Sequence, residues 1–539
     1  MSKFIAFWKK NKRYSLALKA ALLTLLPYLC CLVYCAGSGH AIGDVYLPAS
    51  EWNDELFYYK QVEGNLHSGF PYGYYGFNES HALQLSFAAW SPVLVFPWIV
   101  WGALFGWTVT SPIWCNIFLM MFAMFGFTIL VRPSWKQVGV LTLLFCLFKP
   151  FARYMLCGMP EIICVSMMIW FYAMAIRYFR KPTAFGIARL FIMATVMTWM
   201  RPYLLLMLVL PMAIMVKRKK AAGLMISGMV LGADLAGYVL IKHYLAADYF
   251  TPLFYTDAFT TFLDKGIGEG IHHFFGKLYW MGKEMFSYCR QAIDNGLPHG
   301  AYYCIFLLLM LIMTFYSLGV LLKAGRVRKQ GVKEAGKELK PEYSAIDLAV
   351  LHMAFCFVGM FFAILLMYKI TEGSRHLIAF MGTGIFLVGL MKTKTFKKAV
   401  IVAAVCVYFF SMKGTDPYYY EVPYKQAQTV DELETCQSIL QKEMVLETQK
   451  VPSFDNVIIW VLTDEVDGEL KYVKWQRLYA VPKGFGINCC EGDYVLTNLT
   501  SLKSRYLATV PGGKIDAACK ANDYRVIYED EMIVIFDRF

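Results

Sequence analysis

Apolar runs of about twenty residues, the length that crosses a bilayer as a helix, recur along this chain. They fall at 14–36, 85–107, 113–131, 138–156, 162–176, 188–200, 203–216, 221–241, 301–322, 345–367, 377–391 and 399–412. Two long polar, aromatic stretches interrupt them, 37–84 and 243–300. Beyond residue 412 the pattern changes to short alternating segments at 457–462, 494–497 and 525–536, separated by turn signals such as Asp467-Gly468 and Pro511-Gly512-Gly513. A stretch rich in Gln, Glu and Leu at 429–447 precedes them and predicts a helix. The expected architecture is an all-α polytopic membrane bundle of about 11–13 transmembrane helices. Residues 1–412 form it, and 413–539 form a small extracytoplasmic α/β domain.

Basic clusters assign the sides. Lys9, Lys10, Lys12 and Arg13, and the groups within 177–181, 217–220, 323–340 and 392–398, predict cytosolic segments. Alternation then puts the loop 37–84, the segment 158–161, the Arg201-Pro202 break, the loop 243–300, the segment 368–375 and the C-terminal tail outside. One parity conflict follows. Three apolar runs lie between the first outer loop and Gly158, where an even number of crossings is needed. Pro92 and Pro97 favour a bent or re-entrant 85–107, while Lys149, Pro150 and Arg153 offer 138–156 as the alternative; the sequence leaves both open.

Composition agrees with this reading. Of 539 residues, 58% are hydrophobic and 17% charged, with a mean hydropathy of +0.46, against about 45–50% apolar and about 25% charged in soluble domains. The formal charge of +13 resides in the clusters between apolar runs, so topology accounts for it and nucleic acid is excluded as a partner. The 15 cysteines lie mostly inside apolar runs (Cys30, Cys31, Cys146, Cys164, Cys406) without metal-ligand spacing. Cys436, Cys489, Cys490 and Cys519 fall in the C-terminal region, where a disulfide is open but unassigned. The basic start precedes an apolar run with no small-residue cleavage site, which predicts a retained first span and a multi-pass plasma-membrane protein with a cytoplasmic N-terminus.

The candidate chemistry starts in the first outer loop. Asp54 and Glu55 open a short helical pattern, a placement that favours the helix dipole whatever its function and also suits a general base at the membrane–water boundary. Asp44 and Glu79 are further acids of that loop, and Gly69, Pro71, Gly73 and Gly76 let it fold back. Arg201 and Arg375-His376 stand at the outer edges of later spans. A guanidinium there is either a snorkelling anchor or a planar bidentate phosphate ligand. Glu161 opens a span on the same side. His272 and His273 sit beside Phe274 and Phe275, better read as an interfacial amphipathic segment than as a metal pair.

The opening span, then an outer loop with Trp52-Asn53-Asp54-Glu55, Tyr58-Tyr59, Gly64, the stretch 69–79, Trp90-Ser91-Pro92 and Phe105-Gly106-Trp107, resembles the GT-C membrane glycosyltransferases. Oligosaccharyltransferases, protein O-mannosyltransferases and aminoarabinose transferases belong to that superfamily, and no soluble-domain signature of an oligosaccharyltransferase is present here. The resemblance implies a GT-C-like bundle and inverting transfer of a sugar from a polyprenyl-phosphate-linked donor to a glycan, lipid or protein acceptor at the outer face. It implies Asp54 as catalytic acid–base with Glu55 beside it, Glu161 at an acidic position of the second outer loop, and Arg375 on the phosphate. Asp44, Glu79, Arg201 and His376 complete the candidate substrate-binding set. No cofactor is implied; a divalent metal is compatible with such chemistry, but nothing in the chain indicates one. Glu161 departs from the aspartate common at its position, and residues after 412 carry little of the resemblance. Alternative functions are a transporter or flippase of lipid-linked saccharides and a polysaccharide polymerase or ligase.

Overall fold

The computed structural model describes residues 12–37, 40–46, 54–69, 74–80, 91–245, 255–295, 298–334, 343–368, 370, 374–391, 428–447 and 454–539. The expected span at 399–412, the basic segment 392–398, and Trp52, Asn53, Pro71, Gly73, Trp90, Glu372 and Gly373 lie outside the described residues.

The chain begins with helix α1 (Lys12–Ala36), strand β1 (Val45–Tyr46), helix α2 (Asp54–Ser68) and strand β2 (Tyr74–Phe77). A 3-10 turn, Pro92–Val95, leads into α3 (Phe96–Phe105), followed by α4 (Ser111–Val131), α5 (Trp135–Leu147), α6 (Pro150–Met155), α7 (Glu161–Arg180) and α8 (Ala184–Met200). A second 3-10 turn, Pro202–Leu208, precedes α9 (Val209–Leu245); then come α10 (Asp257–Asp264), α11 (Ile267–Asn295), α12 (Pro298–Glu334) and α13 (Ala345–Met367). The turn Ser374–Leu377 and α14 (Ile378–Leu390) close the described part of the bundle.

Among the described residues, six helices are long and apolar enough to cross a membrane: Arg13–Ala36, Ser111–Val131, Glu161–Arg180, Pro202–Leu245, Gly300–Gly325 and Ala345–Met367. Shorter apolar helices are Pro92–Phe105, Trp135–Leu147, Ala184–Met200 and Arg375–Leu390. The long α9 is two helices meeting at Lys220, whose φ of 49° and ψ of −120° break it. A Cβ on Gly223 would stand 2.3 Å from the Met215 carbonyl oxygen, so the chain doubles back there. That matches the two separate apolar runs in the sequence. Local caps start some of the others. Ser134 and Gln137 form a capping box on α5, and Ser344 and Asp347 do so on α13.

Polar side chains tie the helix ends together on the side away from α2. Lys19 Nζ donates to the Pro133 carbonyl at 2.8 Å, Gln137 Nε2 to the Leu390 carbonyl at 2.9 Å, and Arg180 to the Val131 carbonyl. The α3 region bears on the parity conflict. The turn Pro92–Val95 and α3 both pack on α2, and Trp107 Nε1, just beyond α3, donates to the Tyr59 carbonyl at 3.3 Å. Ten residues make a helix of about 15 Å, half a hydrocarbon core. From Pro92 to Trp107 both ends of the piece therefore stand against α2, the arrangement expected of a bent segment. The run 138–156 also departs from a single helix, breaking between α5 and α6 at Phe148 and Lys149. Inside the bundle α4 and α7 meet closely, because Gly126 leaves room for Trp170; a Cβ there would lie 2.0 Å from its ring.

After the bundle come β3 (Gln428–Thr429), helix α15 (Val430–Glu443), β4 (Val457–Val461), the hairpin β5 (Thr463–Val466) and β6 (Glu469–Tyr472), and β7 (Gly486–Cys490). Helix α16 (Gly492–Asn498), β8 (Tyr506–Thr509), α17 (Lys514–Ala521), β9 (Arg525–Glu529) and β10 (Val534–Asp537) follow. Six strands form one sheet in the order β2-β7-β4-β8-β10-β9. The first four pair in parallel, and β10 and β9 close the far edge antiparallel. The sheet core is apolar along β4 and, apart from Asn488, along β7, both buried at every position, as expected for strands covered on both faces.

Two expectations change. Residues 494–497, read as a strand from Tyr, Val and Thr, lie in α16; Asn498 Nδ2 bonds the Tyr494 carbonyl across one turn, and Val495 alone of that segment turns fully inward. The segment 525–536 is two strands around a turn in which Asp530 accepts from the Met532 and Ile533 amides. The sheet also crosses the expected boundary at 412: its edge strand β2 comes from the first loop, and β1 pairs with β3. Cys436, Cys489, Cys490 and Cys519 are buried and form no disulfide with one another.

Candidate active site

Helix α2 brings two carboxylates to its first turn, one residue apart and thus about 100° apart around the axis. They part company accordingly. Asp54 forms an ion pair with Arg375, whose side chains remain 28% and 29% exposed. Glu55 is buried and accepts the Gly158 N–H at 3.1 Å. Arg375 is placed by the short 3-10 turn after α13, and that loop is pinned from α12 by the Tyr303 hydroxyl, which donates to the Ile370 carbonyl.

Behind this pair lies a second, sealed one. Arg201 precedes Pro202, which holds it extended at φ −146° and ψ 120°. Its guanidinium is buried and donates from Nη2 to Glu161 Oε1 at 2.8 Å. From Nη1 it reaches the Tyr203 hydroxyl at 3.0 Å and His376 Nδ1 at 2.9 Å. Arginine can only donate, so Nδ1 of His376 is the accepting nitrogen and the ring proton sits on Nε2. Glu161 occupies the first turn of α7, where the helix dipole favours an anion. Tyr58 stands one turn along α2 from Asp54, buried within electrostatic reach of Arg201, Asp54, Arg375 and Glu161. Burial pushes its phenol well above the ordinary range, so it stays neutral.

The tertiary structure thus gathers Asp54, Glu161, Arg201, Arg375 and His376 into one place. Asp44 and Glu79 belong elsewhere. Asp44 is exposed and accepts the Ala41 N–H at 3.1 Å in a local turn. Glu79 is buried against the C-terminal domain, accepting the Lys503 N–H at 3.0 Å, the Ser504 N–H at 2.8 Å and the Ser504 hydroxyl at 2.9 Å. It is a strut between the first loop and the sheet. Lys60 is a second strut, wholly buried, donating to Glu63 at 2.6 Å and to the Val481 carbonyl at 3.0 Å. His273 pairs with Asp257 at 2.8 Å, and His272 is exposed. Among the described residues no cluster of three or more His, Cys, Asp or Glu side chains is arranged to hold a metal.

Asn116 is the positioning residue that the sequence reading missed. Buried in α4, it accepts from Trp98 Nε1 at 3.0 Å and donates to the carbonyls of Tyr154 and Cys157 at 3.3 and 3.2 Å. It thereby shapes the turn that presents Gly158 to Glu55 and starts α7 at Glu161. A lone asparagine within an apolar run was the available signal, since buried amides in a membrane need partners.

No family model matches the sequence, and no curated protein is similar to it. Among solved structures, the chain is similar to the oligosaccharyltransferase of Archaeoglobus fulgidus in the apo form, at 10% identity and a TM-score of 0.43 over 93% of this chain and 70% of that one. It is similar to the same archaeon's oligosaccharyltransferase AglB in complex with an inhibitory peptide and a dolichol-phosphate, at 11% and 0.43 over 92% and 69%. It is also similar to ArnT from Cupriavidus metallidurans bound to undecaprenyl phosphate, at 11% and 0.43 over 96% and 98%.

Proposed function

We propose that this chain is a GT-C-type glycosyltransferase that moves a sugar from a polyprenyl-phosphate-linked donor to an acceptor at the outer face of the membrane. The observation that carries the reading is the partly exposed Asp54–Arg375 ion pair, resting on the buried Glu161–Arg201–His376 network. A guanidinium and a carboxylate that meet at a helix end are the two groups such a transfer needs: a permanent cation for the departing phosphate and a proton acceptor for the incoming nucleophile. Arg177 and Arg180 stand in the last turn of α7, at the other end of that helix from Glu161, which supports reading the Asp54 side as the outer one.

In the resting protein the two groups neutralise each other. Donor phosphate on Arg375 competes for the guanidinium and releases the Asp54 carboxylate towards the acceptor. The acceptor hydroxyl oxygen then attacks the anomeric carbon as its proton passes to Asp54. The bond from the anomeric carbon to the phosphate oxygen breaks, and the polyprenyl phosphate leaves with the bonding electrons. Attack opposite the leaving group inverts the anomeric centre. Glu161, Arg201, His376 and Tyr58 do not touch the sugar in this scheme; they hold Arg375 and α2 in position from beneath. Glu55 does the same through Gly158. Lipid-linked saccharide transport is the competing use of the same residues, and it needs no base.

The deciding experiment supplies purified protein with polyprenyl-phosphate-linked sugars and follows glycosidic product. Product formation by the native chain and its loss in Asp54→Asn, with donor binding retained, is the expected result. Movement of labelled lipid between leaflets with no bond formed, unchanged in Asp54→Asn, would overturn the assignment.

A further inference from the structure

Helix α11 has 29 residues, about 40 Å by helical rise, yet is not among the helices apolar enough to cross a membrane. It is nevertheless held to helices that are. Its buried face, with Met285, Cys289 and Ala292, belongs to a helix packed on α12 and α13. The Tyr255 N–H, just ahead of α10, donates to the Met367 carbonyl at the end of α13, at 2.9 Å. A Cβ on Gly300, at the head of α12, would meet the Tyr288 carbonyl of α11 at 1.9 Å, so α11 and α12 are in backbone contact as well.

About a quarter turn from the packed face runs an apolar stripe. Phe275, Tyr279, Phe286 and Ile293 lie along it and are 63, 64, 63 and 50% exposed; Ile267 and Ile271, in line with Met285 and Cys289 but at the other end of the helix, extend the apolar surface at 73 and 47% exposed. The side beyond the stripe carries Glu269, His272, Lys283, Ser287 and Asp294. Trp280 is also exposed but stands on that polar side, with Lys283 Nζ 5.2 Å from its ring centroid. Isolated exposed apolar residues are ordinary; large apolar side chains exposed along most of the length of one helix mark a surface that meets something apolar.

We infer that α11 lies in the plane of the membrane surface, with this stripe sunk at the boundary between lipid head groups and acyl chains. A long helix with separate packed, apolar and charged faces and low overall hydrophobicity is the physical form of an interfacial helix. Its attachment to α12 and α13 keeps it at the bilayer edge, where lipid is the continuous apolar phase already surrounding those helices. The occupant of the stripe is thus phospholipid and not a second protein. The inference does not depend on the proposed transfer reaction.

The test uses the full chain in phosphatidylcholine nanodiscs, with the photo-crosslinking residue p-benzoylphenylalanine replacing Phe275 or Phe286 on the stripe, or Glu269 or Ser287 on the polar side. Both stripe substitutions are aromatic for aromatic at exposed positions, so the helix is retained, and matching melting curves check this. Mass spectrometry of illuminated samples is expected to show phospholipid adducts at Phe275 and Phe286 in about tenfold excess over the polar positions. Equal yields on the two faces, or stripe adducts to a second copy of the chain in place of lipid, overturn the inference.

Discussion

Arg375 and Asp54 stand 321 residues apart in the chain and form an ion pair at the start of α2. Neither is sealed from solvent, so each remains available to a ligand that offers the other's charge. On the proposed mechanism the pair is a unit. Asp54→Asn lowers turnover by about 10²–10⁴-fold, the usual worth of a positioned general base, with little change in donor affinity. Arg375→Lys keeps the charge but loses the planar fork, so its expected signature is a raised KM for the lipid donor. Steady-state kinetics with donor and acceptor varied separately reads both.

The buried Glu161–Arg201 pair gives a different kind of outcome. Glu161→Ala leaves a guanidinium that is 1% exposed without its carboxylate, and breaking such a pair costs about 3–5 kcal/mol. Glu161→Gln keeps a hydrogen-bond acceptor and is expected to be milder. Thermal unfolding of both proteins in the same lipid environment checks the order; equal Tm values would show that the pair contributes little.

Glu79 joins β2 to the C-terminal sheet through the Lys503 and Ser504 amides. Hydrogen bonds to a charged group contribute about 1.5–3 kcal/mol each before desolvation of the stranded partners is counted. Glu79→Ala is expected to raise hydrogen exchange at Lys503 and Ser504 and along 74–80 at least tenfold, while the bundle helices keep their protection.

The C-terminal domain carries its own acid sensitivity. Burial alone would raise the Asp537 carboxyl, but hydrogen bonds from Arg505 and Arg525 outweigh it and hold the group below the usual carboxylate range. Asp530 is lowered in the same way, with burial offset by the Met532 amide and Arg477. A group whose folded pKa is depressed contributes stability that is full above its unfolded value, about 3.9 for Asp. That stability is lost as pH falls through the folded value. Protection of β8, β9 and β10 is therefore expected to hold at pH 6 and to fall below about pH 4. Asp537→Asn is expected to weaken that protection at pH 6 and to flatten its fall, measured by hydrogen exchange across the range.

Much of this protein was legible in one dimension. The class and most span positions follow from the length of apolar runs and the sites of basic clusters, because partition into lipid depends on local composition. The turn in α9 was already marked by Lys217–Lys220 between two apolar runs. Asp54 and Arg375 stood out as polar groups at the ends of apolar segments.

What only the folded chain decided depends on partners distant in sequence. Tyr74–Phe77 carries no local mark of the sheet it joins, since parallel pairing with β7 requires residues more than four hundred positions away. Tyr494–Thr497 has strand propensity, yet packing of Val495 and the turn from Tyr494 to Asn498 made it helical. The α3 region is apolar enough to enter a membrane, yet both its ends stand against α2. Above all, four acids of the first loop were candidates for one site in the sequence. Asp54 met a guanidinium, Glu55 a backbone amide, Glu79 the C-terminal domain and Asp44 its own turn. Composition supplies charges and apolar length; which charge faces which is set by where helices and sheet close on each other.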